Sequence, residues 1–124
     1  MGTAPNGAGH EFRVFEDPLD TWGVVLAITG EIDIATAPRL RERLNAVIDR
    51  GMNRIVIDLS MVDFIDSVAL GVVVHVKNRL REGGRLAVVA DEGSYTMLIF
   101  EAAGLDSVVD LFQSRTEAIE HVKR

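Results

Sequence analysis

The chain has 124 residues, of which 48% are hydrophobic and 26% are charged, so it can bury a core without help from metals or disulfides. It contains no cysteine, which excludes a disulfide framework, a thiolate metal site and a cysteine nucleophile. The net charge of -6 and the pI near 5.0 argue against nucleic acid as a partner, because nucleic-acid binders normally carry a basic stripe.

The chain is also expected to act away from membranes. No apolar run approaches the roughly 20 residues that cross a bilayer, and the first residues lack the basic and apolar regions of a signal peptide. We therefore expect a cytoplasmic protein with no membrane contact. Residues 1–10 are small, polar and rich in glycine, which predicts a disordered tail, and residues 11–124 are expected to form one domain.

The first half of the chain predicts two strands and a helix. The strands are expected at 11–16 and 22–29, separated by a turn at 17–20, and Gly30 is expected to turn the chain after the second. The helix is expected to begin with Thr36 as its cap and to end before Gly51. Its first turn holds Pro38, its buried stripe is Leu40, Leu44, Val47 and Ile48, and its solvated face is Arg39, Arg41, Glu42 and Arg43.

The second half continues the alternation of strands and helices. The elements are expected at 54–59 (strand), 67–80 (helix, stopped by Gly83-Gly84), 85–90 (strand), 94–103 (helix), 108–109 (brief strand) and 115–122 (helix). Alternating strands and helices are typical of a parallel sheet with helices packed on it. The sequence therefore predicts an α/β fold with a mixed, mostly parallel sheet of four to five strands and about four helices.

The most informative segment is 64–72, Phe-Ile-Asp-Ser-Val-Ala-Leu-Gly-Val, which ends an apolar strand and opens an apolar helix. Asp66 and Ser67 stand at the junction, and the purely structural interpretation of Ser67 is that it can act as the helix N-cap. The main apolar stripe of the helix is Ala69, Val72, Val73, Val76 and Leu80. At about 100° per residue, Ser67 falls on the opposite side, so its hydroxyl is expected to face solvent.

This placement suits a reversible modification of Ser67. A phosphoryl group there would meet main-chain amides and the positive end of the helix dipole, so the fold should tolerate it. It would also add roughly 1.5 to 2 negative charges beside Asp66, a change that a protein partner can read. We interpret Ser67 as the site of a regulatory signal rather than of a reaction.

Catalysis and metal binding are weaker interpretations. A serine hydrolase needs a base within reach of Ser67, but His75 lies about 12 Å further along the same helix. Glu31, Asp33 and Asp66 could bind a hard cation such as magnesium, although such carboxylates more often cap helices and loops. We expect that the chain is not an enzyme and that it binds no metal and no cofactor. All three histidines are expected to be solvated: His10, His75 and His121.

Several short motifs follow one another along the chain. They are Gly30-Glu31-Ile32-Asp33, Asp58-Leu59-Ser60, Phe64-Ile65-Asp66-Ser67, Leu70-Gly71 and Gly104-Leu105. Their order, over about residues 12–122, resembles that of a STAS domain, and most closely the bacterial anti-sigma factor antagonists. That family usually has Asp-Ser-Ser/Thr-Gly-Leu-Gly at the junction, and this chain differs by having Val68 and Ala69 at the middle positions.

The resemblance implies partner switching. In that family the serine at the position of Ser67 is phosphorylated by a partner that is both serine kinase and anti-sigma factor, and a phosphatase resets it. The unphosphorylated form binds the anti-sigma factor and frees the sigma factor. Asp33 would lie in the loop beside the serine. The expected partner surface, on a monomer or weak dimer, comprises Glu31, Asp33, Asp66, Ser67, Val68, Leu70, Gly71 and Val74.

Two questions stay open at this point. Val68 and Ala69 also fit a STAS scaffold or ligand-sensing module that works without phosphorylation and with another protein partner. Val68, Leu70 and Val74 lie off the main apolar stripe of the helix. They are therefore either covered by neighbouring helices or exposed as an apolar contact patch around Ser67.

Overall fold

The computed structural model describes residues 11–124, and the predicted disordered tail at 1–10 lies outside them. The elements are β1 (Arg13–Asp20), β2 (Gly23–Ile32), α1 (Ala37–Asp49), β3 (Arg54–Ile65), α2 (Ser67–Arg79), β4 (Arg85–Val89), α3 (Tyr95–Ala102), a 3-10 turn (Leu105–Ser107), β5 (Asp110–Phe112) and α4 (Arg115–Lys123). The strands form one sheet in the order β1-β2-β3-β4-β5, with β1 antiparallel to β2 and all other neighbours parallel. The predicted α/β fold is confirmed.

Helices cover both faces of the sheet, because the inner strands are apolar on both sides. On one face, α1, α2 and α3 pack on the larger core, which includes Leu26, Ile57 and Phe100. On the other face, α4 contributes Ala118 and Val122 to a smaller core. The loops that follow β2, β3 and β4 consequently meet at one edge of the sheet, formed by the carboxyl ends of these strands.

The first hairpin differs from the prediction of a strand at 11–16 and a turn at 17–20. β1 continues through Pro18 to Asp20, and the chain turns at residues 21–22. Pro18 is accommodated because β1 is an edge strand, where a missing amide hydrogen is tolerated. A register irregularity between Pro18 and Asp20 absorbs the local distortion.

The second strand is longer than the predicted 22–29. It runs to Ile32, so the expected turn at Gly30 is wrong, and Gly30 instead lies inside the strand with φ at 88°. A Cβ atom at this position would lie 2.7 Å from the Cα atom of Phe12. Glycine is therefore required by the close approach of two chain segments as well as by the backbone angle.

The third strand is also longer than the predicted 54–59 and ends at Ile65. Two register irregularities between β2 and β3 let β3 carry extra residues before the pairing closes with Ile32 opposite Ile65. The polar residues Ser60 and Asp63 interrupt the apolar run that a central parallel strand normally has, so the pattern does not reveal this extension. As a result, β2 and β3 end side by side.

The other elements were placed with small boundary differences. The buried face of α2 is Ala69, Val72, Val73 and Val76, as predicted, with Leu80 half-buried just beyond the helix. β5 lies at Asp110–Phe112 rather than at 108–109, because Val109 is a core residue that precedes the strand. Within residues 11–124, no helix has both the length and the apolar character needed to cross a bilayer.

Candidate functional site

Ser67 is the first residue of α2 and is exposed at the carboxyl edge of the sheet. It lies between the loops that follow β2 and β3, because the amide of Asp66 donates a hydrogen bond to the carbonyl oxygen of Ile32 at 3.1 Å. Within the described part of the chain, no hydrogen bond engages the Ser67 hydroxyl. The hydroxyl is thus presented to solvent at a position fixed by two paired strands.

The N-cap of α2 is Asp66, so Ser67 does not have the purely structural capping role that the sequence also allowed. Asp66 has an extended backbone, and its Oδ1 accepts a hydrogen bond from the amide of Val68 at 2.9 Å. Aspartate and serine are both strong N-cap residues, and sequence alone does not decide between two adjacent candidates. The helix cap and the exposed hydroxyl are therefore on different side chains, so a change at Ser67 leaves the cap in place.

Asp33 follows β2 directly and organises the loop that leads to α1. Its Oδ1 accepts hydrogen bonds from the amides of Ala35 and Thr36 at 2.9 and 3.0 Å. The bond from the Thr36 amide, followed by that from Ala35, lowers the pKa of Asp33 below its ordinary value. Thr36 occupies the predicted N-cap position of α1, but its hydroxyl donates back to the carbonyl oxygen of Glu31 at 2.7 Å. Asp33 is therefore a fixed, charged carboxylate.

The predicted partner residues differ in exposure. Glu31, Ser67, Val68 and Gly71 are exposed, whereas Asp33, Asp66, Leu70 and Val74 are half-buried. Leu70 and Val74 pack against the larger core, so neighbouring elements cover much of their surface. Val68 is 37% exposed, so of the two alternatives left open by the sequence, exposure applies at this residue.

Exposed apolar side chains that the sequence analysis missed lie on both sides of Ser67 along the sheet edge. Ile34, in the loop after β2, is 79% exposed. Toward β4, the ring of Phe64 stacks on that of Tyr95, with centroids 5.8 Å apart and planes inclined by 13°. The exposure of Ile34 could have been predicted, because it is a single isoleucine in a polar loop. No local pattern pairs Phe64 with Tyr95, because only the tertiary fold brings α3 to the end of β3.

A shallow groove runs between the first turns of α1 and α2. Its lining residues are Ile34, Ala37, Pro38, Arg41, Val68, Gly71 and Val72. Gly71 contributes no side chain to the groove. A Cβ atom at this position would project into open space, with no neighbour within 4 Å. Arg41 is the one charged residue of an otherwise apolar lining.

The arginines of α1, predicted to form a solvated face, have specific neighbours. Arg39 lies over the ring of Phe12 with its guanidinium carbon 4.8 Å from the ring centroid. Arg43 donates to Glu16 at 3.0 Å. Arg39, Arg41 and Glu42 are nevertheless exposed, as predicted for a solvated face, and only Arg43 is half-buried.

His75 is half-buried against α1, so the prediction that it is solvated is wrong. Its Nδ1 lies 3.3 Å from Nη2 of Arg41, and its Nε2 lies 2.9 Å from Oδ1 of Asn45. Since a guanidinium only donates, Nδ1 is the acceptor and Nε2 carries the hydrogen. Burial, followed by the positive charges of Arg41 and Arg79, lowers the pKa of His75. The neutral ring thus joins the two helices.

The remaining candidate groups do not gather around the serine. Nε2 of His121 lies 2.7 Å from a carboxylate oxygen of Asp110 on β5, so the prediction that His121 is solvated is also wrong. His10 lies outside the described residues. Across residues 11–124, no three histidine, aspartate or glutamate side chains converge as a metal site. Asp33 and Asp66 instead accept main-chain amide hydrogen bonds.

Fold and site together define a class of α/β protein in which a mixed five-stranded sheet presents an exposed serine at the start of its second helix. Residues 14–118 match the STAS domain family, and the chain belongs to that family. The resemblance drawn from the ordered motifs is confirmed.

Relatives named as anti-sigma factor antagonists support membership of the same family. The chain is 35% identical over 99 residues to the anti-sigma-F factor antagonist RsfB of Mycobacterium tuberculosis. The matched region covers 80% of this chain and 80% of the relative. It is 30% identical over 92 residues to the anti-sigma-B factor antagonist of Listeria monocytogenes, covering 74% of this chain and 81% of the relative. A crystal structure of an anti-sigma factor antagonist from Mycobacterium paratuberculosis superposes with a TM-score of 0.86 at 29% identity, covering 92% of this chain and 96% of that one.

Proposed function

We propose that this chain is an anti-sigma factor antagonist controlled by phosphorylation of Ser67. In the unphosphorylated state it binds an anti-sigma factor of the serine-kinase type and thereby releases a sigma factor. That partner brings its own ATP and phosphorylates Ser67, which ends the interaction, and a phosphatase resets the chain. The chain itself acts as a binding protein and not as an enzyme.

The observation that carries this proposal is the position of the Ser67 hydroxyl. It is exposed, it heads a helix, and the helix cap is supplied separately by Asp66. A kinase can therefore reach the hydroxyl without unfolding the chain, and the product keeps the Asp66 bond to the Val68 amide. The positive end of the helix dipole further stabilises the added negative charge.

The surroundings of Ser67 explain why phosphorylation would release a partner. Glu31, Asp33 and Asp66 make this edge acidic, which suits a basic surface on the anti-sigma factor. Ile34 and Val68 add exposed apolar area that association can bury. A doubly charged phosphoryl group in the middle of this area would carry a large desolvation cost and add bulk, so binding would weaken without a change of fold.

The docking surface in this proposal comprises Glu31, Asp33, Asp66, Ser67, Val68 and Gly71, with the exposed edges of Leu70 and Val74. Ile34 extends it toward α1, and Phe64 extends it toward α3. The strands that carry this surface are paired up to their ends, where Ile32 and Ile65 lie opposite each other and are buried, so the surface is preorganised.

The proposal can be tested by capturing partners from the source organism with three baits: the natural chain, Ser67→Ala and Ser67→Asp. We expect the first two to retain an anti-sigma factor with a serine-kinase domain and Ser67→Asp to lose it. If all three baits retain the same anti-sigma factor, Ser67 is not a switch, and the phosphorylation-independent scaffold becomes the better description. If none retains an anti-sigma factor, the proposed function is wrong.

Ser114→Asp is the matched control. Ser114 is the N-cap of α4, accepting from the amide of Glu117 at 3.1 Å, and aspartate can replace serine in that role. The substitution adds the same charge at another helix start, but α4 lies on the opposite face of the sheet. Retention of the anti-sigma factor by Ser114→Asp shows that position, and not net charge, decides the outcome.

A further inference from the structure

Arg41 differs from most arginines of the chain because no carboxylate neutralises it within residues 11–124. The paired arginines are Arg13, Arg43, Arg50, Arg54, Arg79 and Arg115. Arg41 makes a single hydrogen bond in the described part of the chain, to the ring of His75. A guanidinium has five N–H donors, so most of the donors of Arg41 remain uncommitted.

The bond to His75 also fixes where these donors lie. His75 is itself held by Asn45, whose Oδ1 accepts from Arg79 at 3.0 Å, and Arg79 pairs with Asp49 at 3.0 Å. This chain of contacts runs along the seam between α1 and α2. It positions the exposed Arg41 side chain beside the apolar groove.

We propose that the groove between α1 and α2 receives an apolar side chain of the anti-sigma factor that is adjacent to a carboxylate, and that Arg41 pairs with that carboxylate. The inference rests on the proposed function, since the groove shares Val68 and Gly71 with the proposed docking surface around Ser67. Arg41 would then be a specificity-determining residue for the choice of partner.

Charge and shape both favour this occupant. The lining is apolar at Ile34, Pro38 and Val68, which suits an aliphatic or aromatic side chain. The only charge in the lining is the Arg41 guanidinium, which can donate two parallel hydrogen bonds to a planar carboxylate. The rest of the proposed docking surface is acidic. We therefore expect the complementary surface of the anti-sigma factor to be basic, with one acidic residue where that surface contacts α1.

The test compares Arg41→Glu with Arg81→Glu. Titration calorimetry measures the affinity of each variant for purified serine-kinase-type anti-sigma factors of the source organism. Arg81 is exposed, lies just beyond α2 and lines no part of this groove, so both variants change the net charge equally. We expect Arg41→Glu to weaken binding about tenfold or more and Arg81→Glu by less than about threefold. Arg41→Lys, which keeps the charge but loses the planar fork, should fall between them.

A structural role for Arg41 is separated from recognition by charge exchange. Acidic residues of the anti-sigma factor are changed singly to lysine and tested against Arg41→Glu, and one of them should restore much of the lost affinity. A merely structural role cannot be rescued by a change in the partner.

Equal affinities of Arg41→Glu and Arg81→Glu, with the natural chain binding normally, would overturn the inference and leave the proposed function standing. Failure of the natural chain itself to bind any anti-sigma factor would overturn both. If Arg41→Glu altered only self-association in sedimentation experiments, a second copy of the chain would occupy the groove and the inference would be wrong.

Discussion

At the scale of single residues, the junction of β3 and α2 places the helix cap and the exposed hydroxyl on two different side chains. Asp66 holds the helix start through its bond to the Val68 amide, while the neighbouring Ser67 hydroxyl makes no bond within the described residues. A serine that both capped the helix and accepted a phosphoryl group would couple every modification to the stability of the helix. The observed division avoids that coupling.

This division predicts different costs for two adjacent substitutions. Asp66→Ala should lower the free energy of unfolding by about 1 kcal/mol, because the first turn of α2 loses its cap. Ser67→Ala should change it by less than about 0.5 kcal/mol, as for other exposed positions. Urea denaturation of both variants checks the prediction, and Asp66→Asn serves as a control that keeps the cap. An equal loss for both alanine variants would mean that the hydroxyl also supports the helix.

At the scale of elements, α1 and α2 are joined by a polar seam centred on His75. The neutral ring accepts from Arg41 and donates to Asn45. Protonation would convert the accepting nitrogen into a donor and place a positive ring beside two arginines. The seam is therefore compatible only with the neutral form.

The seam makes stability depend on pH in a defined direction. The pKa of His75 is lowered in the folded chain, chiefly by burial and then by Arg41 and Arg79, whereas the unfolded residue titrates near its ordinary value of about 6.5. As the pH falls from 7 toward 5.5, the unfolded state binds the proton first, so the free energy of unfolding decreases. The pKa values of Glu16 and Asp33 are also lowered in the folded chain. Their protonation reduces the free energy of unfolding only as the pH approaches about 4.

Urea denaturation at several pH values between 5.5 and 7 measures this effect. His75→Gln should show a flatter dependence than the natural chain in that window, because the titrating group is gone. Parallel curves for the two proteins would show that His75 titrates alike in the folded and unfolded states.

The elements also show what sequence could and could not predict. The apolar stripe of α2 and the order of strands and helices follow from local periodicity, and both were predicted correctly. The extensions of β2 to Ile32 and of β3 to Ile65 carry polar residues and depend on pairing between distant segments, so periodicity missed them. For the same reason, the positions of Ser67 and Asp33 at the ends of neighbouring strands could be predicted. The positions of Tyr95 and Arg41 near the junction could not, because they depend on tertiary packing.

At the scale of the whole molecule, one ion pair joins the last helix to the central strand of the sheet. Asp58, on β3, has a side chain only 6% exposed, and its Oδ2 accepts from Nε of Arg115 at the start of α4 at 2.8 Å. Its Oδ1 accepts from the amide and the hydroxyl of Ser60 at 2.9 and 2.7 Å. Asp58 thus anchors α4 and also holds the backbone where β3 begins the extension that leads to Ser67.

Removing the cation from this pair should be costly. Arg115→Ala leaves a buried carboxylate without its counter-charge, and we expect a loss of about 2 to 3 kcal/mol, at the low end for buried pairs because Arg115 is itself half-exposed. Arg13→Ala is the matched control, since its ion pair with Glu11 is exposed and should contribute less than about 1 kcal/mol. Thermal or urea unfolding compares the two, and similar losses would mean that Asp58 does not depend on Arg115.

The central claim is that a phosphoryl group on Ser67 alone controls partner binding. The most direct measurement incubates the chain with the serine-kinase-type anti-sigma factor proposed as its partner and with ATP. It locates the added phosphate by tandem mass spectrometry and measures binding before and after the incubation. We predict phosphate at Ser67, none on Ser67→Ala, and loss of binding by the phosphorylated chain. Phosphate at another residue, or undiminished binding by the chain phosphorylated at Ser67, would contradict the account.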